Sequence, residues 1–340
     1  MSKLDTIRWG VLGLGYFGEV HAHTLSSMPG IQLAALCTRR EERLRQVADS
    51  YKVPKRYTDY RQLLADPSID AISLTTNVDD HRDITIEALR SGKHVLVEKP
   101  MAPTVADCDR MIEASGQSGR LLMVGHICRF DPRVALAKRA IEDGRLGEIL
   151  SMNARRNLSK VIGVQAGEKV SALFGHGIHD ADIMLWFNPA KPLSVYAQES
   201  HPSAAKYPDC GWAMVRFANG AVGVIEEVWY LPETTRFDID ARMEVIGTQG
   251  ALYVNCGEAG LEIHDANRIS LPDTAYWPRL LDQRVGALQS ELRYFANCVR
   301  DGRAPDCCPP EESRAAVELM TAAAESSKTG AVVYLEPSRR

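Results

Sequence analysis

A chain of 340 residues is long enough for two domains, each with its own core. Its 40 Lys and Arg against 44 Asp and Glu leave a formal net charge of -4, and no basic run occurs, so a nucleic-acid partner is excluded. No apolar stretch reaches the length of a membrane span, the N-terminus has no signal-peptide core, and the eight cysteines follow no CxxC or metal-ligand spacing; a reduced cytoplasmic protein without metal is expected.

The first predicted strand, over residues 7–13, runs into Gly13-Leu-Gly15-Tyr16-Phe17-Gly18, and a helix follows from Tyr16 to about residue 27. A dinucleotide-binding turn needs this context. Gly13 permits the tight turn, Gly15 lets the backbone approach a pyrophosphate, and Gly18 lets helix and strand pack closely. The phosphates then lie on exposed N–H groups at the positive end of the helix dipole. The second strand, over 32–37, ends at Thr38-Arg39-Arg40. No carboxylate stands there to hold the ribose hydroxyls, whereas arginine and a small hydroxyl suit a 2′-phosphate. NADP(H) is therefore favoured, with NAD(H) as the alternative because arginine also stacks on adenine. Strands over 71–75, 94–97 and 121–125 alternate with helices over 41–51, 82–91 and 104–118, completing a parallel doubly wound sheet. Ligands bind beyond the carboxyl ends of such strands, which brings Thr75, Thr76 and Asn77 to the cofactor together with Glu98 and Lys99. His81, opening the next helix, is counted with them.

Beyond residue 147 the pattern changes to strands over 148–157, 193–198, 212–217, 221–229, 238–246 and 251–255, with Asn219-Gly220 as a hairpin turn. An antiparallel sheet in a second domain is predicted. Helices are expected over 176–187, from about 280 to 301, and over 311–328, the last two free to pack back on the first domain. The expected division is 1–125 for cofactor and 126–340 for substrate and oligomerisation. Apolar residues on both alternating faces of 221–225 predict a homodimer or homotetramer through this sheet. Arg155 and Arg156 alternate along a strand, so one faces a cleft whose shape depends on loops near 158–172 and 200–210 and could hold an anionic substrate group; strand-surface charge is the favoured account. Trp229, Tyr230 and Trp277 suit either sugar contact or core packing.

Several motifs together resemble the Gfo/Idh/MocA oxidoreductases, relatives of glucose-fructose oxidoreductase and inositol dehydrogenase. They are Gly13-x-Gly15-x-x-Gly18, the stretch from Ala88 to Glu98-Lys99-Pro100, Gly125-His126-x-x-Arg129-Phe130-Asp131-Pro132, His179-Asp-Ala-Asp182, and the late segments 243–250 and 327–330. The resemblance implies an α/β Rossmann doubly wound parallel sheet followed by an α+β domain with a large, mostly antiparallel open sheet. It also implies hydride transfer between NAD(P) and a hydroxyl carbon of a sugar, polyol or sugar derivative. Such a reaction needs a base for the O–H proton. The resemblance assigns Lys99 to contact with cofactor and substrate, often beside a cis peptide, and His179 to proton exchange. Glu98 supports the cofactor pocket, and His126, Arg129, Arg155 and Asp182 are the candidate substrate contacts. Asp182, on the same helix face as His179, would orient it or hold a hydroxyl.

One position departs from the family pattern. An aspartate usually stands four residues before the histidine, and here that position is Gly175, with His176 beside it as the candidate to compensate. The departure keeps open a cofactor-binding regulatory protein; the resemblance also leaves a glycosidase that cycles a held NAD, and a reductase of an imine or pyrrole, as rival classes.

Overall fold

The computed structural model describes residues 6–335 apart from 204, 237, 258–259 and 266–268. The chain divides into two compact units, residues 6–131 with Ala275–Arg314 and Pro132–Thr274 with residues 315–335; the sequence set the first cut after residue 125 and left the C-terminal helices free to pack back on the first domain.

The first unit opens with β1 (Ile7–Leu12), α1 (Tyr16–Ser26), β2 (Ile31–Cys37), α2 (Glu41–Ser50), β3 (Lys55–Tyr57) and α3 (Tyr60–Ala65). It continues with β4 (Ala71–Leu74), α4 (Val78–Arg90), β5 (His94–Glu98), α5 (Val105–Ser118) and β6 (Leu122–Gly125). All strands are parallel, in the order β3-β2-β1-β4-β5-β6. The order reverses at β1/β4, which sets the glycine turn after β1 beside residues 75–77 after β4, where such sheets bind ligands. β4, β5 and β6 are buried throughout, as expected of parallel strands covered on both faces. The short β3 and α3 carry too few apolar residues for a periodic signal, and the sequence reading missed them.

The second unit holds α6 (Pro132–Glu142), β7 (Ile149–Leu158), α7 (Lys160–Gly167), a π-type turn (Leu173–Gly177), α8 (Ile178–Phe187), β8 (Pro192–Ser200), β9 (Cys210–Phe217), β10 (Val222–Val228), β11 (Ile239–Gly247) and β12 (Ala251–Asn255). Two short hairpins follow, β13 (Ile263–His264) with β14 (Ile269–Ser270), and β15 (Arg279–Leu280) with β16 (Gln283–Arg284). Then come α9 (Ala287–Asp301), α10 (Pro310–Thr329) and β17 (Val333–Tyr334). The large sheet runs β12-β11-β7-β10-β9-β8-β17, antiparallel except for the β10/β7 pair. The hairpin at Asn219-Gly220 joins β9 to β10.

Two expectations need correction. The helix placed from about 280 starts at Ala287, because Gly286 takes φ +98 and a side chain there would overlap the Ala275 carbonyl. The loop placed near 158–172 contains α7. α9 belongs to the first unit, where Leu288, Leu292, Phe295 and Val299 form one buried stripe and Phe295 meets Trp9 edge-on with ring centroids 5.8 Å apart.

Candidate functional site

In the first unit each glycine of the turn has its own steric reason. Gly13 takes φ +93, and a Cβ there would stand 2.7 Å from the Thr75 carbonyl oxygen. A Cβ on Gly18 would overlap the Gly13 carbonyl, whereas around Gly15 nothing lies within 4 Å. The backbone at Gly15 is thus open to a bulky group, and Gly15 caps α1 without a side-chain bond, leaving its first N–H groups for an anion. The fit to a pyrophosphate rests on that cradle. Thr75 Oγ1 donates to Leu12 O at 3.0 Å and Gly13 O at 2.7 Å, pinning the turn to β4.

Around the turn the expected contacts separate into exposed and internally engaged groups. Tyr16, Arg39 and Asn77 are exposed, and Thr38, Thr76 and Lys99 are half-buried. Phe17 packs edge-on between His21 and Trp277, at 4.9 Å and 5.2 Å between ring centroids, as a protein-facing aromatic. His81 is buried and bridges the strand ends, 3.0 Å from Pro100 O and 3.3 Å from Thr76 O; burial lowers its pKa. Arg40, which the sequence set at the tip of the second strand for a 2′-phosphate, and Arg43, which it did not place, also hold the turn. Arg40 donates to Leu14 O at 3.0 Å and Arg43 at 3.1 Å, while Arg43 pairs with Glu19.

Glu98 is buried at the end of β5, and the Lys99–Pro100 bond that follows is cis. Its Oε1 stands 3.2 Å from His21 Nε2, and His21 Nδ1 lies 3.1 Å from Ser73 Oγ, which accepts from Trp9 Nε1 at 3.0 Å. Gly125 makes room for this carboxyl, since a Cβ there would stand 2.6 Å from Glu98 Oε1. Glu291 of α9 is fully buried and neither of its oxygens has a hydrogen-bond partner. Burial, then the charge of Glu98, raises its pKa well above the ordinary value. Only Ser73, a polar residue inside an apolar strand, hinted at this network. His126 and Arg129 are buried as well; Arg129 donates to Cys307 O at 2.7 Å and pairs with Glu312.

In the second unit the π-type turn carries His176, and α8 carries His179 and Asp182, both buried. The His176 ring lies 6.3 Å from that of His179 and 5.0 Å from that of Trp229. Arg155 and Arg156 already face carboxylates. Arg155 meets Asp240 Oδ2 at 2.9 Å, and buried Arg156 grips both oxygens of Asp180, at 2.8 Å and 3.3 Å. Trp229 is fully buried with Leu158 and Ala172, so it is core; half-buried Tyr230 carries the Lys160 ammonium 4.6 Å from its ring centre. Among the described residues no group of three or more His, Cys, Asp or Glu could hold a metal ion, and no helix is long and apolar enough to cross a membrane.

A parallel sheet with an open glycine turn, joined to a mostly antiparallel α+β unit with buried histidines, defines a class: an oxidoreductase built on a dinucleotide-binding domain. Residues 7–126 match the family described as "Oxidoreductase family, NAD-binding Rossmann fold", and residues 134–253 match the "GFO/IDH/MocA C-terminal domain". The chain belongs to the Gfo/Idh/MocA oxidoreductase family and is an enzyme acting on CH–OH groups. It is 30% identical to scyllo-inositol 2-dehydrogenase (NAD(+)) of Bacillus subtilis, over 98% of this chain and 97% of that protein. Identity to the myo-inositol 2-dehydrogenase of Thermotoga maritima is 29%, over 97% and 99%. The crystal structure of a probable dehydrogenase from Thermotoga maritima matches with a TM-score of 0.82 at 27% identity, covering 96% of this chain and 98% of that one.

Proposed function

We propose that the protein transfers hydride between the nicotinamide of NAD(H) and a secondary hydroxyl or keto carbon of an inositol-like polyol. The observation that carries this reading is the end-to-end similarity to two inositol dehydrogenases, one named for NAD(+), in a chain whose glycine turn is open at Gly15. These relatives lend no support to the regulatory or glycosidase alternatives. The NADP(H) preference expected from Thr38-Arg39-Arg40 finds no support in them either. Arg39 and Arg40 are both exposed directly after β2, and Arg40 is engaged with the Leu14 carbonyl, which leaves Arg39 for the adenosine.

Bound nicotinamide supplies the hydride acceptor, and the chain must manage the proton. Lys99 takes the hydroxyl proton in this reading, and His179, with Asp182 on the same face, exchanges it and holds the neighbouring hydroxyl. His176 compensates for the missing aspartate. Arg129 is engaged with Cys307 O and Glu312, whereas Arg155 pairs with Asp240 through Nη2 and keeps an unpartnered Nε; His126 is kept as a lining residue. The exposed apolar stripe of Tyr196, Trp212, Met214 and Val222 on β8, β9 and β10 suits a second copy of the chain, and eight thiols without a disulfide suit the cytoplasm.

The test is cofactor reduction by purified protein with scyllo-inositol, myo-inositol and hexoses. NAD should be reduced with an inositol, and His179→Ala should lower turnover about 10²- to 10⁴-fold with cofactor affinity nearly unchanged. Absence of reduction across the panel overturns the proposal.

A further inference from the structure

His176 sits between two glycines, and each glycine faces one member of a buried pair. A Cβ on Gly175 would stand 3.1 Å from Trp229 Cη2 and 2.7 Å from Val170 Cγ1, and one on Gly177 would stand 3.3 Å from Glu227 Cγ. The π-type turn therefore lies directly on Trp229 and Glu227, which are both fully buried. The indole needs a partner for its N–H in such a place, and Nε1 donates to Glu227 Oε2 at 3.2 Å.

Glu227 Oε1 has no partner as a carboxylate. Near it lies Asp180 of α8, held by the guanidinium of Arg156 from β7 through two bonds. With the guanidinium of Arg156 bonded to Asp180, the protonated form of buried Glu227 is favoured beside that carboxylate. Burial first, then the charge of Asp180, push the Glu227 pKa well above the usual range; the charge of Arg156 opposes them, a hydrogen bond to Asp180 adds to the rise, and the bond from Trp229 lowers it least. Protonated, Glu227 would donate to Asp180 while it accepts from Trp229, which links Arg156, Asp180, Glu227 and Trp229 in one chain.

We propose that Trp229, held by its hydrogen bond to buried Glu227, is the positioning residue for His176, its indole taking the space that a side chain at position 175 would need. The His176 ring meets the indole at 62° with centroids 5.0 Å apart, a T-shaped contact that fixes the imidazole orientation. The proposal rests on the reading that His176 takes part in proton exchange, and it explains why glycine and histidine occur together at 175 and 176.

The test uses the full-length protein with ¹³C-labelled histidine, following the His176 titration by NMR, and kcat and KM against pH. Trp229→Phe and Glu227→Leu should each move the His176 midpoint by about half a pH unit or more and lower kcat about tenfold, with KM within about twofold. Glu227→Gln, which keeps both hydrogen bonds and cannot ionise, should restore what Glu227→Leu loses. Should either disruptive variant fail to fold, Gly175→Ala, which pushes a methyl against the indole, should give the same shift. An unmoved His176 midpoint and pH profile in folded variants, with only lower melting temperatures, would show a purely structural role and overturn the proposal. Failure of Glu227→Gln to rescue would overturn the hold of Glu227 on Trp229. A full kcat in His176→Ala would instead refute the role of His176 in turnover, while its titration in Trp229→Phe still decides the positioning.

Discussion

Glycines do opposite work in the two units. In the first turn Gly13 and Gly18 let the backbone close on itself, and Gly15 clears space for something the protein does not itself supply: nothing lies within 4 Å of a Cβ there. At residues 175 and 177 they clear space for the protein's own side chains, Val170, Trp229 and Glu227. A ligand-facing glycine is set by the geometry of a generic ligand, so its spacing repeats across proteins and reads locally. A side-chain-facing glycine is set by the side chains packed on it, here Val170 five positions before Gly175 and Glu227 and Trp229 some fifty positions on, and has no spacing of its own.

The contrast is broken most severely at Gly18. Gly18→Val drives a branched side chain into the Gly13 carbonyl, and the expected loss is about 3 kcal/mol or more, read by denaturant melting. Gly15→Val should leave the melting curve close to that of the parent while abolishing cofactor binding in calorimetry. If Gly15→Val instead unfolds the protein, the glycine serves packing and the open cradle is a misreading.

Next in size is Gly175→Asp. The family pattern suggests that restoring the aspartate would raise turnover, but the carboxylate has to displace Val170 and Trp229. We expect destabilisation by about 1–3 kcal/mol and no gain in kcat. A raised kcat at an unchanged melting temperature would mean that the turn relaxes and the aspartate site persists.

A smaller, pH-dependent effect is expected at Glu291. Its folded pKa lies above the ordinary 4.5, so unfolded chains lose this proton first as pH rises. Stability from this group is therefore complete below about pH 4.5 and declines upward through the folded value. Glu291→Gln should raise the melting temperature at pH 8 more than at pH 5. An equal change at both would show that the folded carboxyl ionises normally.

Much of the architecture was legible because it is periodic. Apolar runs marked the five long strands of the first unit, and alternation marked β8 to β12, since one face of that sheet is buried. β3 and α3 stayed hidden for lack of length, and the helix near 280 was misplaced because apolar residues around Leu280 and Leu281 mimic a helix start before Gly286. Within the candidate site the glycine turn and the Glu98-Lys99-Pro100 segment read directly. Arg43, His21, Glu291 and Glu227 did not, because each is defined by a partner on another element. Trp229 and Phe17 show the same limit: an aromatic residue next to a motif does not reveal whether it faces ligand or core.

The smallest effect separates the two cofactors at β2. Arg40 and Arg43 both end on the Leu14 carbonyl, so Arg40→Ala should loosen the turn and weaken NAD(H) and NADP(H) alike. Arg39 is exposed, and an arginine that only stacks on adenine contributes about 0.5–1 kcal/mol. Arg39→Ala should then weaken NAD(H) by about two- to fivefold, and the intact protein should bind NAD(H) more tightly than NADP(H). A 2′-phosphate held by Arg39 would make a charge-assisted bond of about 1.5–3 kcal/mol, a loss exceeding tenfold and confined to NADP(H). Calorimetry with both cofactors on both variants decides the matter: tighter NADP(H) binding that Arg39→Ala abolishes would restore the preference first read from Thr38-Arg39-Arg40. Equal weakening of both cofactors would place Arg39 on the adenosine that they share.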